Sequence, residues 1–185
     1  MCVDDNTKPY SLMSFSDIKK ELNQLDKKQL IGLISELYKI NSATKEYLDF
    51  FANPDEKKQL VKYKQRVLEA FYPKHGTGLK LKETKLAIAD FKKLGTSVEL
   101  LADLKLFYVE CGVQFTNDFG GMDESFYLSL ARMYKKALDL MHTGDLLKSF
   151  QDRSLKIVID TKDIGWGFHD YIAGEHFEYY GMDSD

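Results

Sequence analysis

Cysteine, proline and glycine are all scarce in this 185-residue sequence, which contains two cysteines, three prolines and twelve glycines. Two cysteines, Cys2 and Cys111, cannot build the disulfide framework of a small secreted protein. Cys111 lies in an apolar run, a setting typical of a packed, reduced thiol. So few prolines and glycines leave little room for the many tight turns of a β-sandwich. The composition therefore favours helices and a reducing compartment.

Long hydrophobic runs are absent as well. No apolar stretch reaches the roughly 18 to 20 residues that a membrane-spanning helix needs. The first residues, MCVDDNTKPYSLMSF, carry acids where a secretory signal would carry basic residues, and no apolar core follows. We therefore expect a cytoplasmic protein with no membrane partner.

The sequence also lacks the common catalytic motifs, namely HExxH, CxxC, GxSxG, the Walker phosphate loop and the dinucleotide fingerprint. The nearest phosphate-loop candidate, HGTGLK from His75 to Lys80, has no strand before it, so a helix connector is the favoured interpretation. The sequence predicts no cofactor, gives no indication of a small-molecule ligand, and does not favour an enzyme.

Helical periodicity is what the sequence has in abundance. Apolar residues recur at spacings of three and four in segment after segment, as in KKQLIGLISELYKI, and Ser16, Asp26 and Ser42 stand where helix N-caps are expected. The pattern predicts an all-α fold of about eight amphipathic, antiparallel helices in a single compact bundle, with an irregular α-solenoid as the alternative. We expect a flexible tail over residues 1–15, one helical domain over 16–180, and a frayed end over 181–185.

The segment VQFTNDFGGMD, residues 113–123, is predicted to be a loop with two adjacent glycines. It would display Phe115 and Phe119 to a binding partner. Asp118 and Asp123, together with Glu124, could hold a hard cation such as Ca²⁺ or Mg²⁺. However, an acid at the start of a helix is explained by capping alone, so no metal site is predicted here.

The C-terminal stretch GWGFHDYIAGEHFEYY, residues 165–180, contains the single tryptophan and two of the four histidines. On a helix, His169 and His176 would lie roughly 10 Å apart along the axis. That separation is too great for one Zn²⁺ to bind both. A metal-dependent or acid–base enzyme would need one histidine plus acids from neighbouring helices, such as Glu110 or Asp139. The favoured interpretation is that the aromatic residues pack the last helix onto the bundle, with Trp166, His169, Asp170 and His176 as binding candidates.

Charge is unevenly placed along the chain. Residues 16–106 contain 18 basic and 13 acidic residues, whereas residues 107–185 contain 7 basic and 14 acidic residues. The candidates for nucleic-acid binding in the basic half are Lys57, Lys58, Lys62, Arg66, Lys92 and Lys93. Acidic residues are interleaved with them and the pI is 5.8, so nucleic acid is a disfavoured partner. The uneven distribution of charge along the chain fits self-association or a protein partner better than it fits nucleic-acid binding.

Three segments carry a family resemblance: YLDFFANPDEKKQLVKYKQRVLEAFYP, ADFKKLGTSVELLADLKLFYVECGVQF and ESFYLSLARMYKKAL. Their order resembles a bacterial family known as domain of unknown function 6155, over roughly residues 16–180. The resemblance implies a small, bacterial, cytoplasmic, helical protein. It brings no activity, cofactor or site residue with it.

Together these patterns predict a non-enzymatic interaction or scaffold protein that binds a protein partner or itself. Short-linked amphipathic helices, uneven charge and the missing catalytic motifs support this hypothesis. The first alternative is the histidine-based enzyme, and the second is nucleic-acid binding through the basic half.

Overall fold

The computed structural model describes residues 13–74 and 78–181, and in these ranges the chain forms nine α-helices and no strand. The helices are α1 Phe15–Leu22, α2 Lys27–Ile40, α3 Ser42–Ala52, α4 Glu56–Phe71, α5 Leu81–Lys93, α6 Val98–Phe119, α7 Glu124–Thr143, α8 Leu147–Asp160 and α9 Phe168–Tyr180. The predicted all-α fold is confirmed, with nine helices in place of about eight. No helix in the described part of the chain is long and apolar enough to cross a bilayer.

The contacts between Cα atoms divide the chain into two units, with the boundary between Asp49 and Phe50. The first unit contains α1, α2 and most of α3, and the second contains α4 to α9. The single helical domain expected over residues 16–180 stays a prediction. Most of the two predicted tails lies outside the described residues.

Local capping explains where the helices of the first unit begin. The Asp26 side chain accepts a hydrogen bond from the Gln29 amide, and the Gln29 side chain accepts one from the Asp26 amide, so the predicted cap is a full capping box. The other two predicted caps are wrong by one or two residues. Ser14 rather than Ser16 caps α1, and the Asn41 side chain accepts from Thr44 N at the start of α3.

The second unit has a continuous apolar core built around α6, which packs against α4, α5, α7 and α8, while α9 packs on α7 and α8. Its largest fully buried side chains include three tyrosines, Tyr63, Tyr108 and Tyr134. Buried tyrosines need polar partners. The Tyr108 hydroxyl finds one in Ser129 Oγ at 2.7 Å.

Helix α6 corrects the predicted loop over residues 113–123. The helix continues through Gly112 to Phe119, and the loop shrinks to residues 120–123. Gly112 lies inside α6 and does not end it. A Cβ built at this position would lie 2.3 Å from Leu130 Cδ2 on α7. The glycine instead lets α6 and α7 approach closely. The helix ends at Gly120, whose φ of 93° is a conformation that glycine adopts readily.

Candidate functional site

Phe115, Asp118 and Phe119 lie on the last two turns of α6, where they meet the C-terminal end of α4. The ring centroids of Phe115 and Phe119 are 4.8 Å apart, and those of Tyr72 and Phe115 are 5.6 Å apart. Phe119 is 67% exposed, whereas Phe115 is half-buried against the core. The structure therefore brings the two predicted phenylalanines together with Tyr72, an aromatic residue that the sequence pattern did not single out.

The two predicted acids of this region have separate roles. Asp118 accepts hydrogen bonds from the Tyr72 hydroxyl at 2.8 Å and from Gln114 Nε2 at 2.7 Å. Asp123 caps α7 by accepting from the Phe126 amide at 2.8 Å. Hydrogen bonds from the Ser125 hydroxyl and the Phe126 amide lower the pKa of Asp123. In the part of the chain that the structure describes, no three histidine, cysteine or acidic side chains converge as a metal site would require.

Trp166 does not pack the last helix onto the bundle as expected. It is 71% exposed and adopts a φ of 61°, in the tight turn that precedes α9. Asp170 is exposed in the first turn of α9, where an acid favours the helix dipole. Two buried residues, Ile164 and Phe168, anchor this turn in the core instead.

His169 is half-buried, and its Nδ1 lies 3.0 Å from the Thr161 hydroxyl. Thr161 donates its single hydroxyl hydrogen to the Val158 carbonyl at 2.8 Å. A Thr161 hydroxyl that donates to Val158 accepts from Nδ1 of His169, and in that arrangement Nδ1 carries the ring hydrogen.

His176 is buried at 3% exposure, inside a polar cluster between α7, α8 and α9. Its Nδ1 lies 2.8 Å from Ser154 Oγ and 3.4 Å from the Tyr134 hydroxyl, and its ring stacks on Tyr180 at 4.6 Å between centroids. A serine hydroxyl beside a histidine nitrogen is the pair that nucleophilic catalysis uses. However, Ser154 has no exposed surface through which a substrate could reach it. The cluster serves to hold α9 on α7 and α8.

The two histidines should therefore respond differently to substitution. We expect His176→Ala to lower the free energy of unfolding by about 2 kcal/mol, because it removes a buried ring and its hydrogen bonds. His169→Ala should lower the free energy of unfolding by less than about 1 kcal/mol, since the ring is half-buried and its one hydrogen-bond partner is the Thr161 hydroxyl. Urea denaturation of both variants measures the difference. Equal losses would contradict the structural role assigned to His176.

A groove that the sequence did not reveal lies along α6, between α4 and α8. We call it the α6 groove. Its volume is about 380 Å³, and it is lined by Leu68, Tyr72, Phe107, Glu110, Cys111, Val113, Gln114, Arg153, Lys156, Ile157 and Asp160. A shallower extension shares Leu68, Tyr72 and Gln114 with it and reaches Asp118. The volume falls within the usual range of ligand sites.

Arg153 fixes one wall of the α6 groove. Its Nε and Nη2 each donate to the Glu110 carboxylate at 2.9 Å, and Nη1 donates to Asp103 at 2.7 Å. Asp103 also accepts from Lys64, so the network joins α8, α6 and α4. Burial lowers the pKa of Arg153, but hydrogen bonds with Glu110 and Asp103 outweigh it and the net pKa is raised. The guanidinium therefore keeps its charge at any working pH.

Cys111 contributes a thiol to the floor of the groove. Burial, and then the negative charge of Glu110, raise the pKa of this thiol to about 12. The thiol is therefore protonated and a poor nucleophile at neutral pH. Cys111 acts here as a small apolar side chain.

Several basic residues of the first half pair with neighbouring acids. Arg66 and Lys93 both pair with Asp90, at 3.4 Å and 3.0 Å, and Arg66 also lies 4.7 Å from the centre of the Tyr63 ring. Lys80, at the end of the phosphate-loop candidate, pairs with Glu83 at 3.5 Å. Residues 75–77 of that candidate lie outside the described residues.

The sequence indicates only the part of the α6 groove that α6 itself contributes. Phe107, Glu110 and Cys111 stand at helical spacing and could be placed on one face of α6. The contact between Arg153 and Glu110 spans 43 positions, and nothing local in the sequence pairs them. The groove exists only because α4 and α8 both pack on α6.

Comparison with known proteins identifies a family and no individual relative. A search of curated proteins and a search of solved structures found no match. The model of a family of unknown function, DUF6155, matches residues 13–173, a range that contains α1 to α8 and the first six residues of α9. Residues 13–173 are most of the chain, and the protein therefore belongs to the DUF6155 family.

Proposed function

We propose that this protein is a non-enzymatic interaction module that holds an amphipathic helix of a partner protein in the α6 groove. The observation that carries the proposal is the shape of the groove. Its floor follows a single stripe of α6, in which Phe107, Cys111, Gln114 and Asp118 succeed one another at spacings of three and four. The buried thiol of Cys111, which is free, also supports a reducing, cytoplasmic location.

The dimensions of the floor suit a helix. From Phe107 to Asp118 the stripe rises over three turns of α6, or roughly 16 Å. Leu68 on α4 and Ile157 on α8 form apolar walls on either side of it. An incoming helix with apolar residues at i, i+4 and i+7 would cover both walls and the floor, as in other helix-in-groove complexes.

Charges indicate which way the partner helix runs. Asp118 and Asp160 lie near the same end of the groove, because the Asn117 side chain next to Asp118 donates to the Asp160 carbonyl at 3.1 Å. Carboxylates stabilise the N-terminus of a helix. A partner helix antiparallel to α6 would place its N-terminus at this end. We therefore expect the partner helix to run antiparallel to α6, with its N-terminus near Asp118 and Asp160.

The exposed ring of Phe119 would be a further contact at that end. Large aromatic side chains are enriched among the residues that dominate binding energy. Phe119 stands beside Tyr72 and Phe115, so burying it would extend an aromatic surface that is already in place. Tyr72, Phe115 and Phe119 together form this aromatic surface.

The proposal can be tested with helical peptides selected from a display library against the whole protein. We expect Leu68→Glu to raise the Kd of the selected peptides at least about tenfold, because it places a charge on the apolar wall, a cost of about 1.4 kcal/mol or more. Leu155→Glu is the matched control. Leu155 lies on α8 outside the groove lining and is 37% exposed, whereas Leu68 is 38% exposed. Peptide binding that both variants leave unchanged would contradict the proposal.

A further inference from the structure

Lys105, on the central helix of the second unit, is half-buried and has no acidic partner. It lies between the turns of α6 that contain the buried residues Ala102 and Val109. In the part of the chain that the structure describes, its ammonium group forms no ion pair and no hydrogen bond. Removing a charge from water costs free energy unless a partner compensates it. Lys105 therefore lacks a counter-charge that a bound anion would supply.

A polar layer of the core sets the register of the three helices around Lys105. The Tyr108 hydroxyl on α6 lies 2.7 Å from Ser129 Oγ on α7, and beside the Thr84 side chain on α5. α7 runs antiparallel to α6, because Val98 at the start of α6 packs beside Gly144, which follows the end of α7. α5 is antiparallel to α6 as well, since a short link joins the two helices.

This register makes three lysine side chains converge. Lys92 comes eight residues after Thr84, and Lys136 comes seven residues after Ser129, so both lie roughly 10 to 12 Å along their helices from the polar layer. Lys105 lies one turn from the layer on the same side. Long side chains on a helix lean towards its N-terminus. Lys105 therefore leans away from the layer, whereas Lys92 and Lys136 lean back towards it.

The electrostatics of Lys105 agree with this geometry. Burial lowers the pKa of Lys105, and the positive charges of Lys136 and then Lys92 lower it further. The negative charge of Asp139 raises this pKa, with the smallest effect of the four, and its Oδ1 already accepts a hydrogen bond from the Tyr179 hydroxyl. Lys92 and Lys136 are exposed and form no ion pair with any described residue. The three lysines thus form a cluster of uncompensated positive charge.

We propose that Lys92, Lys105 and Lys136 together bind an oxyanion with at least two negative charges, for which a phosphate group is the expected chemical class. Ammonium groups bind phosphate oxygens through charge-assisted hydrogen bonds. The bound anion would reduce the repulsion among the lysines and give Lys105 a partner, so it would stabilise the folded protein. Convergence on one point favours a compact anion, because a nucleic acid needs cations spaced along a groove.

The proposed anion site is separate from the α6 groove. It lies on α5, α6 and α7, whereas the groove lies along α6 between α4 and α8. The two proposals therefore do not depend on each other. Peptide binding in the groove should be the same with and without phosphate, so each proposal can fail alone.

Thermal unfolding of the full chain with inorganic phosphate tests the proposal. We expect phosphate at about 100 times its Kd to raise the Tm by about 5 °C or more. Sodium chloride at the same ionic strength should raise it less, because screening weakens the repulsion without supplying a partner. Isothermal titration calorimetry gives the Kd itself.

Lys105→Met is the decisive variant, because methionine keeps most of the side-chain stem and removes the charge. We expect the Kd for phosphate to rise at least about tenfold. Without phosphate, the Tm of this variant should equal or exceed that of the native protein, since a charge without a partner has been removed. A variant that merely folded poorly would show a lower Tm under the same conditions.

Lys136→Gln and its matched control separate the cluster from general charge effects. Lys136→Gln should weaken phosphate binding at least about threefold. Lys162→Gln should leave it unchanged. Lys162 is also exposed and without an ion pair among the described residues, but it follows α8 at the end where Asn117 of α6 contacts Asp160.

Three results would overturn the proposal. The first is a Tm that phosphate raises no more than sodium chloride does at equal ionic strength. The second is a Lys105→Met protein that keeps the full response to phosphate. The third is an oligonucleotide whose binding requires these lysines while inorganic phosphate does not bind, since it would assign the cluster to nucleic acid.

Discussion

Replacement of Gly112 by alanine should lower the free energy of unfolding by about 3 kcal/mol, the upper end of the cost of overpacking a core. The new Cβ would lie 2.3 Å and 2.7 Å from the two Cδ atoms of Leu130 and 3.0 Å from its Cγ. Leu130 is fully buried, so its side chain has no free space in which to move away. The α6–α7 contact at the centre of the second unit would have to widen.

The matched control is Gly174→Ala in α9, which should raise stability by up to about 1 kcal/mol. A Cβ built at Gly174 meets no atom within 4 Å, and the residue is exposed in the middle of a helix. The chemical change is identical, and only the surroundings differ. Urea denaturation of both variants should therefore give opposite signs. A stabilising Gly112→Ala would show that α6 and α7 do not approach as closely as described.

We expect Arg153→Met to lower the free energy of unfolding by about 2 to 3 kcal/mol. The substitution removes both hydrogen bonds that Glu110 accepts from the guanidinium, and it leaves Asp103 paired with Lys64 alone. The Arg153 side chain is 37% exposed, and solvent screening places the expected loss below that of a fully buried pair. Methionine keeps most of the side-chain volume, so the loss reports the charge network and not a cavity.

A double-mutant cycle isolates the interaction. Arg153→Met, Glu110→Gln and the double variant should show a coupling of about 1 to 2 kcal/mol between the two positions. Arg153→Lys should recover only part of it, because an ammonium cannot form the two parallel hydrogen bonds of the guanidinium. A coupling below about 0.3 kcal/mol would mean that the network contributes nothing measurable to the wall of the α6 groove.

The helical class of this protein could be predicted from sequence because the signals are local. The Asp26 capping box and the apolar spacing of α2 lie within a few residues of one another. Gly112 shows the limit of local signals. A glycine after an apolar run predicts a helix end, but the approach of Leu130, 18 positions away, reverses its meaning.

The candidate site was predicted only where it lies on one segment. The sequence predicts Phe115, Asp118 and Phe119 together because they are close along the chain, although it places them in a loop and they lie on α6. Leu68 and Arg153, which form the walls of the groove, come from helices on either side of α6, and only packing brings them together. The large apolar ring of Trp166 predicts a place in the core, and this prediction is wrong because the residue is exposed. The glycines on both sides of Trp166 favour the turn in which it lies.

The central claim is that a partner helix docks in the α6 groove, and methyl NMR on the protein titrated with a selected helical peptide tests it most directly. We predict chemical-shift changes concentrated at the groove methyls of Leu68, Val113 and Ile157. The methyls of Ile31 and Ile34 on α2 should stay unchanged. Shifts confined to α2, or spread evenly over the surface, would contradict the claim.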